Sequence, residues 1–334
     1  MPLARSIAAP HSDGYWYPAG RSEWFSVKPL AIVNRFDLAP ADYRSCGEYR
    51  LIFSRRTEDA ARLHIAFEVP IANPRPADGK AGCAEVAAFW LQLARTDSDL
   101  RRREMLERFF FAGGQTFGPL LDAAPFERSG RIRTSLVSTA RPQFRQFEVR
   151  RNCVACVPEL VPVPLDNTPD RALFAADTGD ARAAAFRREF LGQVASLAIQ
   201  DANRFFMTID RRYSVSSNER GAESNYRLPF RRAVRTTTGQ EFRREIAAEL
   251  QRAGSALTPE DIVARAETQN CVGCHGGSGP VGGGIVFPKA FDSGEHIADP
   301  SVLQSPRLSA ALVEVFIPYR IRALTQYARV TGLR

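Results

Sequence analysis

Leu63, Ile65, Phe67 and Val69 are apolar, and His64, Ala66 and Glu68 stand between them. A period of two predicts a half-buried β-strand. Ala31-Ile32-Val33 and Tyr49-Arg50-Leu51-Ile52-Phe53 are shorter runs of β type, so the first part of the chain, to about residue 80, reads as strands and turns. Asn73-Pro74-Arg75-Pro76 and Asp78-Gly79 mark a turn. The period then changes. Val86, Phe89, Trp90 and Leu93 share one face of a helix over Ala84 to Leu93, and a second helix is predicted over Asp99 to Phe111. Residues 131–165 return to strand character, with Phe147 and Val149 alternating. They end in Val161-Pro162-Val163-Pro164, an extended edge or connector, because proline cannot donate to a ladder.

Beyond this point helical spacing dominates. Phe186, Phe190, Val194, Leu197 and Phe205 form a stripe that predicts one long helix from Asp180 to Met207. The arginine-rich stretch from Arg211 to Thr238 reads as loop or edge strand. Phe242, Ile246 and Leu250 predict another amphipathic helix. Thr258-Pro259-Glu260-Asp261 is a helix start, with an N-cap, a first-turn proline and acids near the positive end of the dipole. Ser305-Pro306 opens a terminal helix carrying Leu308, Leu312, Val315 and Phe316. Pro318 is expected to interrupt it before Ile321, Leu324 and Tyr327 resume the stripe. The pattern predicts an α+β protein: a β-rich domain with several helices over residues 1–238, then a small all-α domain over residues 239–334.

Hydrophobic residues are 44% of the chain and charged residues 25%, which disfavours disorder. The formal charge is +8, and the only lysines are Lys28, Lys80 and Lys289. The arginines come in pairs, such as Arg187-Arg188 and Arg243-Arg244, interleaved with acids. That is the pattern of a solvated face, or of a positive surface that steers an acidic redox partner. No nucleic-acid module accompanies the charge, and no stretch has the length of a transmembrane segment.

Six cysteines are present, and two belong to Cys271-Val272-Gly273-Cys274-His275. In CxxCH, two thiols at this spacing reach the two vinyl groups of one porphyrin edge, and the adjoining imidazole reaches the iron. The glycines that follow, Gly276, Gly277, Gly279 and Gly282-Gly283-Gly284, suggest a loop whose backbone lies against a flat cofactor. Competing arrangements exist. Cys153, Cys156, Cys271 and Cys274 are two CxxC pairs of the kind that hold zinc, although more than a hundred residues separate them and His275 has no part. A plain disulfide or a thiol-redox pair is also open, the latter without the strand-to-helix context it needs. Cys46, Cys83, Cys153 and Cys156 remain in even number, which suits an oxidising compartment and two disulfides. Three connectivities are possible; a local Cys153–Cys156 bridge would leave Cys46 with Cys83.

From about residue 241 to 334 the chain resembles a single-haem c-type cytochrome module: a helix, CxxCH, a glycine-rich loop and a closing helix. The earlier part resembles a group of uncharacterised secreted bacterial proteins. It does so at Ile32-Val33-Asn34-Arg35-Phe36-Asp37-Leu38 and Cys46-Gly47-Glu48-Tyr49-Arg50, and again at Thr268-Gln269-Asn270-Cys271. The resemblance implies one covalent haem c on Cys271 and Cys274, His275 on its iron, electron transfer with a partner protein, and a periplasmic or extracellular location. Met1 to Gly20 shows no charged-then-apolar signal pattern, so a signal removed earlier or a misassigned start is expected.

The sequence departs from the family at the sixth ligand. Its methionines are Met1, Met105 and Met207, and none follows the motif. His296, in Asp292-Ser293-Gly294-Glu295-His296, is the candidate ligand, with Lys289 behind it and Met207 reaching from the other domain. His64 falls on the polar side of its strand, and His11 lies in an anchoring segment with Tyr15, Trp16 and Tyr17. Three roles follow. One is an electron carrier with His275 and His296 on the iron. Another is a peroxidase-like haem enzyme with an open iron, where Glu295, His296 and an arginine handle protons. The last is a binding protein with the haem as appendage. No serine, cysteine or carboxylate constellation for hydrolysis stands out.

Overall fold

The computed structural model describes residues 27–56, 62–137, 143–152, 157–175, 179–216, 225–270, 279–287 and 311–333. Six strands form one antiparallel sheet in chain order. They are β1 (Lys28–Arg35), β2 (Ser45–Arg56), β3 (Arg62–Ala72), β4 (Arg131–Val137), β5 (Gln143–Asn152) and β6 (Val157–Val163). The period-two pattern sets the register. Leu51 stands opposite Phe67, Phe67 opposite Ile132, and Ile132 opposite Phe147. Residues opposite each other share a face, so these side chains make the apolar side. On the other side Arg50 is opposite Glu68, Glu68 opposite Arg131, and Arg131 opposite Glu148. Pro158 and Pro162 lie in β6, an edge strand, as the proline spacing predicts.

The chain between β3 and β4 forms α1 (Ala84–Arg95), α2 (Asp99–Glu107) and α3 (Ala123–Ser129). Val86, Ala87 and Trp90 of α1 are buried against the end of the apolar face, with Tyr49, Val69 and Ile71. The helix predicted to reach Phe111 instead loosens after Glu107 into a π-turn, Arg108–Ala112. That turn sends both Phe109 and Phe110 inward, and Phe109 stacks on Phe89 with ring centroids 3.6 Å apart. Cys83, at the foot of α1, is bonded to Cys46 of β2, and both are buried.

A second core forms around Phe174, Phe186, Phe190, Tyr213, Phe230 and Phe242. Its helices are α4 (Ala183–Leu191), α5 (Val194–Leu197), α6 (Arg227–Arg232), α7 (Thr237–Arg252) and α8 (Pro259–Glu267). The single helix expected from Asp180 to Met207 is not formed. The chain turns at Gly192, where the Gln193 N–H donates to Phe190 O, and the helical part ends at Leu197. Phe205, Met207 and Ile209 are then buried while Phe206, Thr208 and Asp210 are exposed, which is strand-like alternation. Within the stretch expected as loop or edge strand, α6 forms because Tyr226 and Phe230, four residues apart, both enter this core. The expected boundary at residue 238 falls inside the cluster, since α6 and α7 contribute to it from either side.

The helix α9 (Ile317–Thr331) follows a π-turn at Ala311–Phe316. Pro318 does not interrupt it. It sits in the first turn, where its missing N–H costs no helical bond. Phe316 packs on the second core, whereas Leu324 and Tyr327 are buried in the first. The Tyr327 hydroxyl donates to Lys80 O at 2.6 Å.

Candidate functional site

The segment that carries the sequence motif enters from α8. The Thr258 hydroxyl accepts from the Asp261 N–H at 3.2 Å, and Asp261 Oδ2 accepts from the Thr258 N–H at 2.8 Å, which fixes the helix start as expected. Ile262, Val263 and Ala266 are buried in the second core. Cys271, Cys274 and His275 lie outside the described residues, as do His296, Glu295, Lys289, Cys153, Cys156 and His11. The flanks of the motif are described. Thr268 and Asn270 are buried on one side. On the other, β7 (Gly279–Pro280) and β8 (Val286–Phe287) pair as a small hairpin. The Val281 N–H donates to Ile285 O at 2.9 Å within it.

Gly276 and Gly277 lie outside the described residues, and two glycines of this hairpin pack closely against side chains. Gly282 has φ +79°, and a Cβ there would stand 2.3 Å from Asp261 Cγ. At Gly283, φ +63°, it would stand 2.2 Å from Gln200 Oε1. These two positions need glycine to adopt left-handed backbone and to pack against Asp261 and Gln200.

The packing centres on Arg265, which is fully buried. Its Nε donates to Val281 O at 2.9 Å, and its Nη1 donates to Leu197 O and Ile199 O at 2.8 Å each. Nη2 donates to Gly282 O at 3.1 Å and Gln200 Oε1 at 3.3 Å. Five acceptors thus meet the five N–H groups of a guanidinium, and all five are neutral. The cation also lies over the Phe205 ring, 5.1 Å from its centroid. Burial pulls the Arg265 pKa down, and the charge of Asp261 opposes that. Two residues on, Glu267 accepts from the N–H groups of Tyr226 and Arg227 at 3.0 and 3.3 Å and from Arg227 Nη2 at 2.8 Å. Neither residue stood out in the sequence. The available signal was Arg265 itself, a charge inside the apolar run Ile262, Val263, Ala264, Ala266.

A second polar cluster covers the other side of the sheet. Arg50 bridges Glu48 at 2.5 Å and Glu68 at 3.3 Å, and Arg133 approaches Glu68 at 3.4 Å and Asp166 at 3.6 Å. Arg131 pairs with Asp166 and lies 3.8 Å from Glu48. Arg211 reaches Asp166 at 2.7 Å and also pairs with Glu148. Burial raises the Asp166 pKa, but the Arg211 hydrogen bond and the Arg131 charge outweigh it and hold the carboxyl at about 2. For Glu48 burial also opposes ionisation, and Arg50 then carries the net shift downward. Arg150 also pairs with Glu148 at 3.3 Å, so five guanidinium groups meet four carboxylates here. A cleft of about 350 Å³ beside it, lined by Arg128, Arg131, Arg150, Arg211, Glu127 and Glu148, mixes both signs.

His64 is half-buried on the polar face of β3, opposite Ser54 and Ser135. Met105 meets the Thr96 hydroxyl at 3.5 Å, away from the second core. Met207 is buried in the same core as Ile262, Val263 and Val281. It therefore belongs to the unit that carries the motif, not to a separate domain reaching across. Among the described residues, no group of His, Cys, Asp and Glu is placed to hold a metal ion, and no helix is long and apolar enough to cross a membrane. No family model, no curated protein and no solved structure matches this chain.

Proposed function

We propose that this chain is a c-type cytochrome that holds one covalent haem through Cys271 and Cys274, with His275 on the iron. The observation that carries the reading is the Cys271-Val272-Gly273-Cys274-His275 spacing. The donor set fits the group: two thiols for two thioether bonds and one imidazole for a metal that favours nitrogen ligation. The bound haem would supply one-electron redox chemistry. The chain's part is to hold the segment. α8 delivers it from one side, the hairpin receives it on the other, and Arg265 and Glu267 pin α8 to its surroundings. A haem-bearing segment within residues 239–334, a redox partner protein, acidic in character, and a periplasmic or extracellular location complete the proposal. The Cys46–Cys83 disulfide is compatible with that location.

For the sixth position the proposal names His296. Met207 is the second candidate, because its burial among the residues flanking the motif brings it into the right unit. Expression with haem-c maturation in the periplasm, followed by oxidised and reduced optical spectra with and without carbon monoxide, tests the reading. Covalent haem with a sharp reduced α band that ignores carbon monoxide is the expected result. Replacing His296 by Ala then opens the iron to carbon monoxide, whereas Met207→Ala leaves the spectrum unchanged; the reverse pattern assigns Met207. A matured protein without covalent haem ends the proposal. A wild-type iron that binds carbon monoxide directs attention to the peroxidase-like role.

A further inference from the structure

We infer that the cleft between α3, the start of β4, the end of β5 and the turn Arg211–Tyr213 is a binding site for a small dianion bearing carboxylate or phosphate groups. The inference does not depend on the proposed haem attachment.

Each of the four elements brings one guanidinium to the cleft. Arg128 comes from α3, Arg131 from β4, Arg150 from β5 and Arg211 from the later turn. Its volume of about 350 Å³ is that of a small-molecule site. A guanidinium presents paired N–H donors that match the oxygens of a carboxylate or a phosphate.

The two acids on the walls are already engaged. Both oxygens of Glu127 accept from Arg151, at 2.7 and 3.2 Å. Glu148 offers one oxygen to Arg211 and the other to Arg150, the latter at 3.3 Å. The arginines are not used up in return. Arg150 spends one Nη2 on Glu148, and its side chain remains 60% exposed. Arg128 is exposed and has no acidic partner among the described residues. Arg131 and Arg211 are both held on Asp166, so two of the four guanidinium groups are fixed in place before a ligand arrives.

The charge balance sets the valence of the ligand. The cluster on this face has five guanidinium groups to four carboxylates. Arg128 adds one more cation, and Arg151 and Glu127 cancel, which leaves a surplus of two positive charges. A dianion neutralises that surplus and relieves the repulsion among the arginines, whereas a monoanion does half as much. A ligand spanning the cleft also joins the sheet to the second core, because Tyr213, on the same turn as Arg211, is buried there.

The test is a calorimetric titration of the full chain at pH 7 and low ionic strength, with succinate and inorganic phosphate as separate probes and acetate as the single-charge comparison. Saturable binding of succinate or phosphate at one site is expected, at least about tenfold tighter than acetate, and whichever of the two binds identifies the group. The double variant Arg128→Gln, Arg150→Gln leaves the Asp166 clamp intact and is expected to weaken binding about tenfold or more. Arg101→Gln, at an exposed arginine of α2, is expected to change nothing. No saturable binding of either probe, acetate binding as tightly as succinate and phosphate, wild-type affinity in the double variant, or an equal loss in Arg101→Gln overturns the inference. Thermal unfolding checks that the double variant is folded. If it is not, Arg128→Gln alone, which breaks no ion pair, decides.

Discussion

Asp166 shows how a single side chain links the sheet to the segment beyond it. It lies in the loop after β6, and it accepts from Arg131 of β4 and from Arg211 of the later 3₁₀ turn. Its folded pKa of about 2 lies below the ordinary 3.8. The stabilisation is therefore complete above the unfolded value and is lost as the pH falls through about 4 towards about 2. A carboxyl held at about 2 instead of 3.8 corresponds to about 2–3 kcal/mol, and the side chain is only 14% exposed, so little is lost to solvent screening. Asp166→Asn is expected to lower stability at pH 7 by about that amount and to flatten the urea midpoint between pH 4 and 2. An acid profile that stays unchanged in the variant would remove Asp166 from the acid transition. Gly282 gives a second test at this scale. Gly282→Ala combines left-handed backbone with a clash on Asp261 and is expected to cost about 2 kcal/mol or more, read as a lower thermal midpoint. The need for glycine there was legible in the sequence as a glycine run, but its purpose was not. Nothing in Gly282-Gly283 says that their close neighbours are Asp261 and Gln200. Arg265 was hidden for a related reason. A residue's place in an apolar stripe shows that it is buried, and only the fold shows which carbonyls converge on it.

Elements were readable wherever burial came from one period. β3 to β6 and α1 follow their patterns because each buries a single face. The segment Asp180 to Met207 misled because two periods abut: helical spacing through Leu197, then alternation at Phe205, Met207 and Ile209. Phe205 happens to satisfy both, which made one helix from two elements. The helix α2 failed in a milder way, since three consecutive phenylalanines, Phe109 to Phe111, cannot all follow one helical face. The π-turn buries two of them and leaves Phe111 exposed. The Cys46–Cys83 bond is the sharpest prediction at this scale. It closes a separation of 37 residues between β2 and the foot of α1. Chain entropy assigns such a loop about 4 kcal/mol. A Cys46→Ala, Cys83→Ala double variant is expected to lose about that much in denaturant unfolding, and a loss below about 1 kcal/mol would show that the packing of Val86 and Trp90 holds this junction without the bond.

At the scale of the whole molecule, the two cores do not respect the division that composition suggests. Buried residues between Tyr226 and Ala266, and Val281, share one core with Phe174, Phe186 and Phe190, and α9 places Leu324 and Tyr327 in the core of the sheet. Sequence periodicity finds the buried stripe of α9 but cannot name the surface it meets. That choice depends on where Phe36 and Tyr43 stand, nearly three hundred residues earlier. A fragment of residues 239–334 is expected to lack a cooperative thermal transition, having left its aromatic partners behind. If it melts cooperatively and takes up haem alone, the module is independent after all. The positive formal charge also reads differently in the fold. Arg50, Arg131, Arg133 and Arg211 are matched by carboxylates, and Arg265 is internal, so less of it is free to steer a partner than the sequence total of +8 implies.

The order in which α9 meets its partners has a consequence for biogenesis. Everything it covers precedes it in the chain, so a polypeptide emerging from a ribosome or a translocation pore has both cores unlidded until residues 311–331 arrive. Cys271 to His275 emerges before that helix does. An enzyme that acted on this segment as it emerged would meet a chain that still lacks α9.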